Sequence, residues 1–223
     1  TWVLQTEPLA ESAQFSLTDP AFTTRANGEP ILVYARGANL VVTDFVSFAT
    51  KHNADLAPLL AIPITTNTAY KAPRFSQDGA TLWYATNTGA GAFDTVQEAQ
   101  RDANSDQWLI ARQLPAPIND GESRRWFQMC DAEHGVMVRG EVPADLMTVR
   151  NDGGVFTAAV IAELDLPESQ TAPTLLPDCL RMYFSRRVGA PAQGDIMYTW
   201  RDSVDSGWAT PVPVPGLSHP NLA

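Results

Sequence analysis

The hydrophobic residues fall into short runs separated by turn residues, a pattern typical of β-strands. Asp78-Gly79 lies between two such runs, and this pair in that setting is a strong signal for a β-hairpin. Asn27-Gly28 has the same place in an earlier segment. After each predicted hairpin comes a third run that begins with Asp or Asn, at 39–42, 106–110, 145–149 and 195–198. The pattern therefore predicts a chain built mainly of antiparallel strands.

The order of these runs repeats along the chain. Residues 72–84 align without a gap with residues 172–184, and weaker copies begin at Asp19 and Trp126. If Pro20, Pro73, Trp126 and Pro173 are equivalent, the spacings are 53, 53 and 47 residues. The predicted repeats cover approximately 14–66, 67–119, 120–166 and 167–217. A fourth run closes three of them, at 56–62, 155–161 and 208–214, whereas the second repeat has only the proline-containing stretch 114–118 in that place.

Four short strands repeated every ~40–50 residues are typical of β-propeller blades, because one twisted sheet cannot bury both of its faces alone. The predicted fold is all-β: a single small β-propeller of four-stranded antiparallel blades. Four blades are favoured and five are possible, with the terminal segments 1–6 and 218–223 closing the ring. Residues 88–105 interrupt the second repeat and are predicted to form a loop that carries a short helix.

The pattern Pro-x-x-Ser-x-Asp-Gly-x-x-Leu-x-Tyr at 73–84 resembles the WD40-like repeat (TolB-type, PD40) of bacterial propellers. Residues 173–184 match the same pattern, with Cys179 where glycine is usual. Because proteins with this repeat are secreted or attached to the envelope, the resemblance implies a periplasmic, cell-envelope or extracellular location. It says little about activity, since such propellers bind ligands, serve as scaffolds or accompany enzyme domains.

Composition excludes several classes of protein. The 223 residues are 44% hydrophobic, which is too apolar for a disordered chain, yet no stretch approaches the ~20 apolar residues of a membrane span. The net charge of −10 repels phosphate backbones and acidic lipids, so we expect no nucleic-acid partner and no membrane insertion. No cofactor is predicted, because the glycines at 89–91 are not followed by the lysine of a phosphate-binding loop.

Two cysteines are too few for a four-cysteine zinc site. Cys130 and Cys179 lie in the predicted first turn of consecutive repeats, so they are placed on one side of neighbouring blades. Sequence alone leaves two alternatives open, a disulfide and a pair of free thiols. A disulfide would imply an oxidising compartment.

The residues that begin each predicted inner strand would surround the mouth of the propeller channel. One acid and three cations there are compatible with a pocket for an anionic ligand, whereas mutual pairing of these charges is the plainer alternative. Trp126 is the preferred aromatic contact, although core packing is the plainer explanation for it. The predicted ligand-binding residues are Asp19, Lys71, Arg124, Arg125, Trp126, Thr171 and His219.

No catalytic residue is predicted. The chain has no Gly-x-Ser-x-Gly motif, and its three histidines fall in predicted loops or near the C-terminus. A glycosidase needs paired carboxylates. At the inner-strand positions taken as equivalent to Asp19, the other repeats have Lys71, Arg125 and Thr171 and no acid. A metal is not predicted either. Asp94, Glu98 and Asp102 would share one helix face suited to calcium, but solvated acids explain them as well.

These observations together favour a non-enzymatic recognition module of a secreted or cell-envelope protein. It would bind a protein, peptide or glycan through the loop-rich face and the channel mouth. The alternatives are a carbohydrate-active hydrolase that uses Asp19 and a structural spacer domain.

Overall fold

The computed structural model describes residues 17–24, 30–36, 39–44, 69–87, 93–102, 107–141, 143–188 and 193–217. Apart from one 3-10 turn at Ala162–Leu164, the regular elements in these ranges are β-strands. They are β1 (Leu17–Thr24), β2 (Pro30–Arg36), β3 (Asn39–Asp44), β4 (Ala69–Phe75), β5 (Thr81–Asn87), β6 (Thr95–Asp102), β7 (Gln107–Gln113), β8 (Arg124–Met129), β9 (His134–Arg139), β10 (Asp145–Asp152), β11 (Val155–Val160), β12 (Gln170–Leu175), β13 (Arg181–Val188), β14 (Gln193–Trp200) and β15 (Val212–Pro213). None of the helices in the described ranges has the length and hydrophobicity of a membrane span.

The strands form four antiparallel sheets, each pairing neighbours in chain order. The first sheet contains β1 to β3, the second β4 to β7, the third β8 to β11 and the fourth β12 to β15. The first strand of each sheet packs beside the first strand of the next, so β1, β4, β8 and β12 are innermost. This arrangement confirms the predicted all-β propeller architecture. The single domain and its closure by the termini stay predictions, because segments 1–6 and 218–223 lie outside the described residues.

Each innermost strand contains a β-bulge at the same position. The pairing register shifts after Thr18, Lys71, Arg125 and Thr171. In the last three sheets the next residue, Ala72, Trp126 or Ala172, has a left-handed backbone with φ of 51° to 52°. The bulges correct the sequence alignment by one residue, because Trp126 now corresponds to Ala72 and not to Pro73. A shared bulge therefore fixes which side chains of each sheet face the channel mouth.

The predicted helix within 88–105 is wrong, because residues 95–102 of that interval form strand β6. Val96 and Ala99 are both buried although they are three residues apart, a spacing that imitates a helix. β6 pairs with β5 without a register shift, so Val96 and Ala99 lie on opposite faces of the sheet, and both are buried because both faces are covered. The run 106–110, predicted as a third strand, consequently belongs to the fourth strand, β7.

Other strand predictions have mixed outcomes. The third runs of the remaining repeats are confirmed as β3, β10 and β14, and the closing run 155–161 is confirmed as β11. The closing run 208–214 is reduced to the two residues of β15, and residues 114–118 follow β7 in a turn. The run 56–62 lies outside the described residues.

Hydrophobic side chains fill the spaces between successive sheets. Trp83 of the second sheet meets Phe127 of the third edge to face, with ring centroids 5.5 Å apart. Val138 of the third sheet and Phe184 of the fourth belong to a second buried cluster. Since these side chains leave water only when two sheets meet, their burial drives the face-to-face stacking.

A disulfide joins the first turns of the third and fourth sheets. The sulfur atoms of Cys130 and Cys179 are 2.10 Å apart, and their Cα atoms are separated by 5.5 Å. Of the two alternatives left open by the sequence, the structure contains the bond. Cys179 has a φ of 60° and stands where Gly79, with a φ of 69°, stands in the second sheet. The cysteine thus occupies a conformation that normally favours glycine.

Replacing both cysteines by alanine should lower the free energy of unfolding by about 4 kcal/mol, because the bond closes a loop with a sequence separation of 49 residues. The Cys130→Ala/Cys179→Gly pair should lose about 1 kcal/mol less, since glycine accepts the positive φ. Urea unfolding measures both values. Two titratable thiols in the unreduced, denatured wild type would contradict the bond.

Candidate functional site

A buried ion-pair cluster occupies the predicted channel mouth between the second and third sheets. The Asp94 carboxylate is fully buried, and the Lys71 ammonium donates to its two oxygens at 2.9 and 3.3 Å. The Arg125 Nε lies 3.3 Å from Asp94 Oδ2. Lys71 and Arg125 each precede the bulge of their strand, so the shared register places both cations beside one carboxylate.

Arg124 is paired as completely as its neighbours. Its guanidinium, 2% exposed, donates to Asp120 Oδ1 at 2.6 Å and to Glu122 Oε2 at 3.0 Å. Its backbone N–H also donates to the carbonyl of Asp94. The three cations Lys71, Arg124 and Arg125 therefore face three acids. Mutual pairing of these charges is the alternative to a ligand pocket that the sequence left open, and the structure contains such pairs. Because each cation contacts an acid, no excess positive charge is left for an anion.

The remaining predicted mouth residues have different surroundings. Trp126 is 9% exposed and packs in the core, with the Arg125 guanidinium 5.0 Å above its ring. Thr171 is half-buried at the position that Lys71 and Arg125 occupy in their sheets. The backbone of Asp19 lies in β1, whereas its side chain and the whole of His219 fall outside the description. Ligand binding by the seven mouth residues stays a prediction.

The corrected register bears on the hydrolase alternative. Asp19 corresponds to Ala72, Trp126 and Ala172. The residues compared with it in the sequence, Lys71, Arg125 and Thr171, each precede this position by one residue. No carboxylate stands at this position in the second, third or fourth sheet. In the described sheets, therefore, the positions equivalent to Asp19 do not supply the additional carboxylates that a glycosidase requires.

The calcium hypothesis for Asp94, Glu98 and Asp102 is wrong in its geometry, because these residues precede or belong to a strand and not a helix. Asp94 is enclosed by cations, and Glu98 is bound by Arg112. A second group, Cys130, Cys179 and Asp131, has closely spaced ligand atoms. Its two sulfur atoms are bonded to each other, so they do not offer thiolates to a metal.

A groove of about 570 Å³ opens between the second and third sheets, at the end opposite the ion-pair cluster. Its walls come from the first turns of both sheets, from the outer strands β6, β7 and β11, and from the β10–β11 turn. The lining residues are Ser76, Gln77, Asp78, Thr81, Trp83, Glu98, Arg112, Pro115, Phe127, Met129, Cys130, Asp131, Ala132, Asn151, Gly154 and Phe156. The sequence did not predict this site, because it forms between repeats and not within one.

The inner wall of the groove combines aromatic rings with a fixed ion pair. Phe127 lies between Trp83 and Phe156, with centroids 5.5 and 6.2 Å away. The Trp83 indole N–H donates to Glu98 Oε2 at 3.1 Å, and Arg112 binds Glu98 Oε1 at 2.8 to 2.9 Å. The wall is therefore apolar in its interior and polar toward the outer strands.

Two aspartates from equivalent turns stand on opposite sides of the groove. The Ser76 hydroxyl and the Ala80 N–H donate to Asp78 Oδ1 at 2.6 and 3.0 Å, and these bonds hold the pKa of Asp78 below its usual value. Burial alone would raise the pKa of Asp131. Hydrogen bonds from the His134 ring and from the N–H groups of Glu133 and His134 outweigh this effect, so the pKa of Asp131 also lies below its usual value. Both carboxylates are therefore ionised near neutral pH.

His134 differs from the sequence prediction of a loop histidine. It begins β9, its side chain is 14% exposed, and its Nδ1 lies 2.9 Å from Asp131 Oδ2. The same ring lines a smaller cleft of about 400 Å³ between the third and fourth sheets, together with Arg201 and Trp208. His134 therefore helps to hold the turn that carries one rim of the groove.

Comparison with known proteins supports the fold of the chain but assigns it to no family. No family model and no curated protein matches the chain in sequence. Among solved structures, the catalytic domain of an α-L-arabinofuranosidase (GH62) from Coprinopsis cinerea has a TM-score of 0.58 at 13% identity. That match covers 95% of this chain and 73% of the other. The shared feature is the propeller fold.

Two further solved structures resemble the chain. A protein of Agrobacterium tumefaciens assigned as TolB has a TM-score of 0.50 at 16% identity, and the match covers 83% of this chain. The periplasmic gluconolactonase of Pseudomonas aeruginosa has a TM-score of 0.49 at 14% identity, covering 89% of this chain and 55% of the other. The chain spans 59% of the length of the TolB protein. Membership of the TolB-type repeat family stays a prediction.

Replacing Asp94 by asparagine should lower the free energy of unfolding by about 3 kcal/mol, because two cations lose their buried counter-charge. Urea unfolding measures the change. The control Lys71→Met should cost about 1 kcal/mol, since the Lys71 side chain is 35% exposed and Arg125 still balances Asp94. Equal stability of Asp94→Asn and wild type would contradict the role of this cluster.

The Asp131 interactions predict a pH-dependent contribution to stability. Because the folded-state pKa of Asp131 lies below the ordinary aspartate value of 3.8, its stabilisation is complete above that value and is lost as the pH falls through the folded-state pKa. Urea unfolding of wild type and Asp131→Asn should show a larger difference in stability at about pH 5 than at about pH 3. A difference that is unchanged at pH 3 would contradict this assignment.

Proposed function

We propose that the chain is a non-enzymatic recognition module that binds a protein, peptide or glycan in the groove between the second and third sheets. The observation that carries the proposal is the composition of the groove. An open cavity of about 570 Å³ lined by a half-buried aromatic ring, Phe156, a fixed ion pair and two carboxylates has the size and mixed chemistry of a ligand site.

The structure favours the groove over the channel mouth as the binding surface. At the mouth, Lys71 and Arg125 are engaged with Asp94, and Trp126 is buried, so these side chains have little capacity for a ligand. In the groove, Gln77 and Asp78 are exposed and Phe156 is half-buried. Polar groups beside accessible apolar surface can both orient a ligand and gain from its burial.

The disulfide supports the location proposed for the module. Structural disulfides persist in oxidising compartments and are rare in reducing ones. The Cys130–Cys179 bond therefore agrees with the periplasmic, cell-envelope or extracellular location that the repeat resemblance implies. Such a module would meet its ligand outside the cytoplasm.

The test is a peptide and glycan array probed with wild type and Ala132→Trp. Ala132 is exposed and lines the groove, so an indole there should fill the cavity and weaken binding of the array's best ligand by about tenfold or more. Ala159→Trp is the matched control, because Ala159 is also exposed but is not among the lining residues. It should bind within about twofold of wild type.

Two results would contradict this function. Wild type that binds nothing on the array would favour the spacer alternative. Hydrolysis of an array glycan by wild type, abolished in Asp19→Asn, would establish the hydrolase alternative instead.

A further inference from the structure

The equivalent first turns of the second, third and fourth sheets each carry an aspartate, but the side chains that contact its carboxylate differ. Asp178 Oδ1 accepts the Leu180 N–H at 3.0 Å, and its Oδ2 accepts the Arg181 Nε at 2.6 Å. Asp131 Oδ2 faces the His134 ring at 2.9 Å. In these two turns, therefore, a basic residue of the same turn contacts the carboxylate.

Asp78 is the exception among these turns. Its Oδ1 is bound by the Ser76 hydroxyl and the Ala80 N–H, just as the Oδ1 of Asp178 is bound by a backbone N–H. Its Oδ2 has no hydrogen-bond donor and no cation in the part of the chain that the structure describes. Thr81 stands where the fourth sheet has Arg181. The turn therefore holds one exposed, oriented carboxylate oxygen at the edge of the groove.

The charges that line the groove are unbalanced. Asp78, Glu98 and Asp131 are acidic, and Arg112 is the basic residue among the lining side chains. Because Arg112 is engaged with Glu98, it does not compensate the rim. An anionic ligand would be repelled here, whereas a cation would meet an unpaired acceptor.

We propose that the groove binds a lysine or arginine side chain of a peptide or protein partner, with Asp78 Oδ2 accepting from the cationic head. This rests on the proposed function and names the ligand class of that site. The long aliphatic stem of either side chain would pack on the half-buried ring of Phe156 while the head stays at the hydrated rim. A charge-assisted hydrogen bond then fixes the orientation.

The experiment measures fluorescence anisotropy with three labelled probes, Gly-Ser hexapeptides whose two central residues are Arg-Arg, Glu-Glu or Ser-Ser. Wild type should bind the arginine probe and bind the other two at least tenfold more weakly. Asp78→Asn should weaken the arginine probe by about tenfold, because asparagine keeps the turn hydrogen bond but removes the charge. Asp202→Asn changes the net charge equally at an exposed site outside the groove and should stay within about twofold.

A second pair of variants tests the same idea without removing the acid. Thr81→Arg supplies the cation that Arg181 supplies to Asp178, so it should mask Asp78 and weaken the arginine probe. Thr81→Met adds similar length without charge and should weaken the probe severalfold less. Equal losses in the two variants would show that bulk alone matters and would overturn the role of Asp78.

The remaining outcomes separate this inference from the proposed function. Equal losses in Asp78→Asn and Asp202→Asn would reduce the binding to overall charge and overturn the inference. A neutral peptide or a glycan that binds wild type and is excluded by Ala132→Trp would overturn the cationic ligand but support a recognition groove. If no probe and no array ligand binds wild type, both proposals fail.

Discussion

The structure depends on the need of each sheet to cover its faces with a neighbouring sheet. A four-stranded twisted sheet exposes apolar side chains on both sides, and only a second sheet can remove them from water. Trp83 and Phe127 do this between the second and third sheets, and Val138 and Phe184 belong to the core between the third and fourth. The innermost bulges, the ion-pair cluster and the groove all follow from sheets stacked in this way.

The third sheet is fastened differently at its two ends. At the channel mouth, Arg125 and Lys71 share Asp94 and hold it to the second sheet. At the opposite end, Cys130 is bonded to Cys179 and holds it to the fourth sheet. The groove lies at the same end as the disulfide but on the other side of the third sheet, between the second and third sheets. The groove that we propose as a binding surface therefore lies at the end where the disulfide joins the third sheet to the fourth and not to the second.

The sequence predicted what depends on local pattern. Turn pairs such as Asp78-Gly79 and the spacing of apolar runs were sufficient for the all-β architecture and for most strands. The helix predicted within 88–105 failed because β6 is buried on both faces, so that Val96 and Ala99, three residues apart on opposite faces, imitate the apolar spacing of a helix. The partners of Lys71 and Arg125 could not be predicted, since Asp94 was assigned to that helix. The groove was missed because its walls come from two repeats, and a repeat alignment shows only what each repeat contains.

Repetition makes departures from the pattern informative. The first turn recurs in three sheets with an aspartate, and in two of them a basic residue of the turn, Arg181 or His134, contacts the carboxylate. The backbone of the second-sheet turn is held in the same way, so the turn does not need a cation to fold. Leaving Asp78 without one costs little in exposed surroundings but creates an oriented acceptor beside a cavity. Among these three turns, the one beside the cavity therefore differs from the others in leaving a carboxylate oxygen without a contact from a basic side chain.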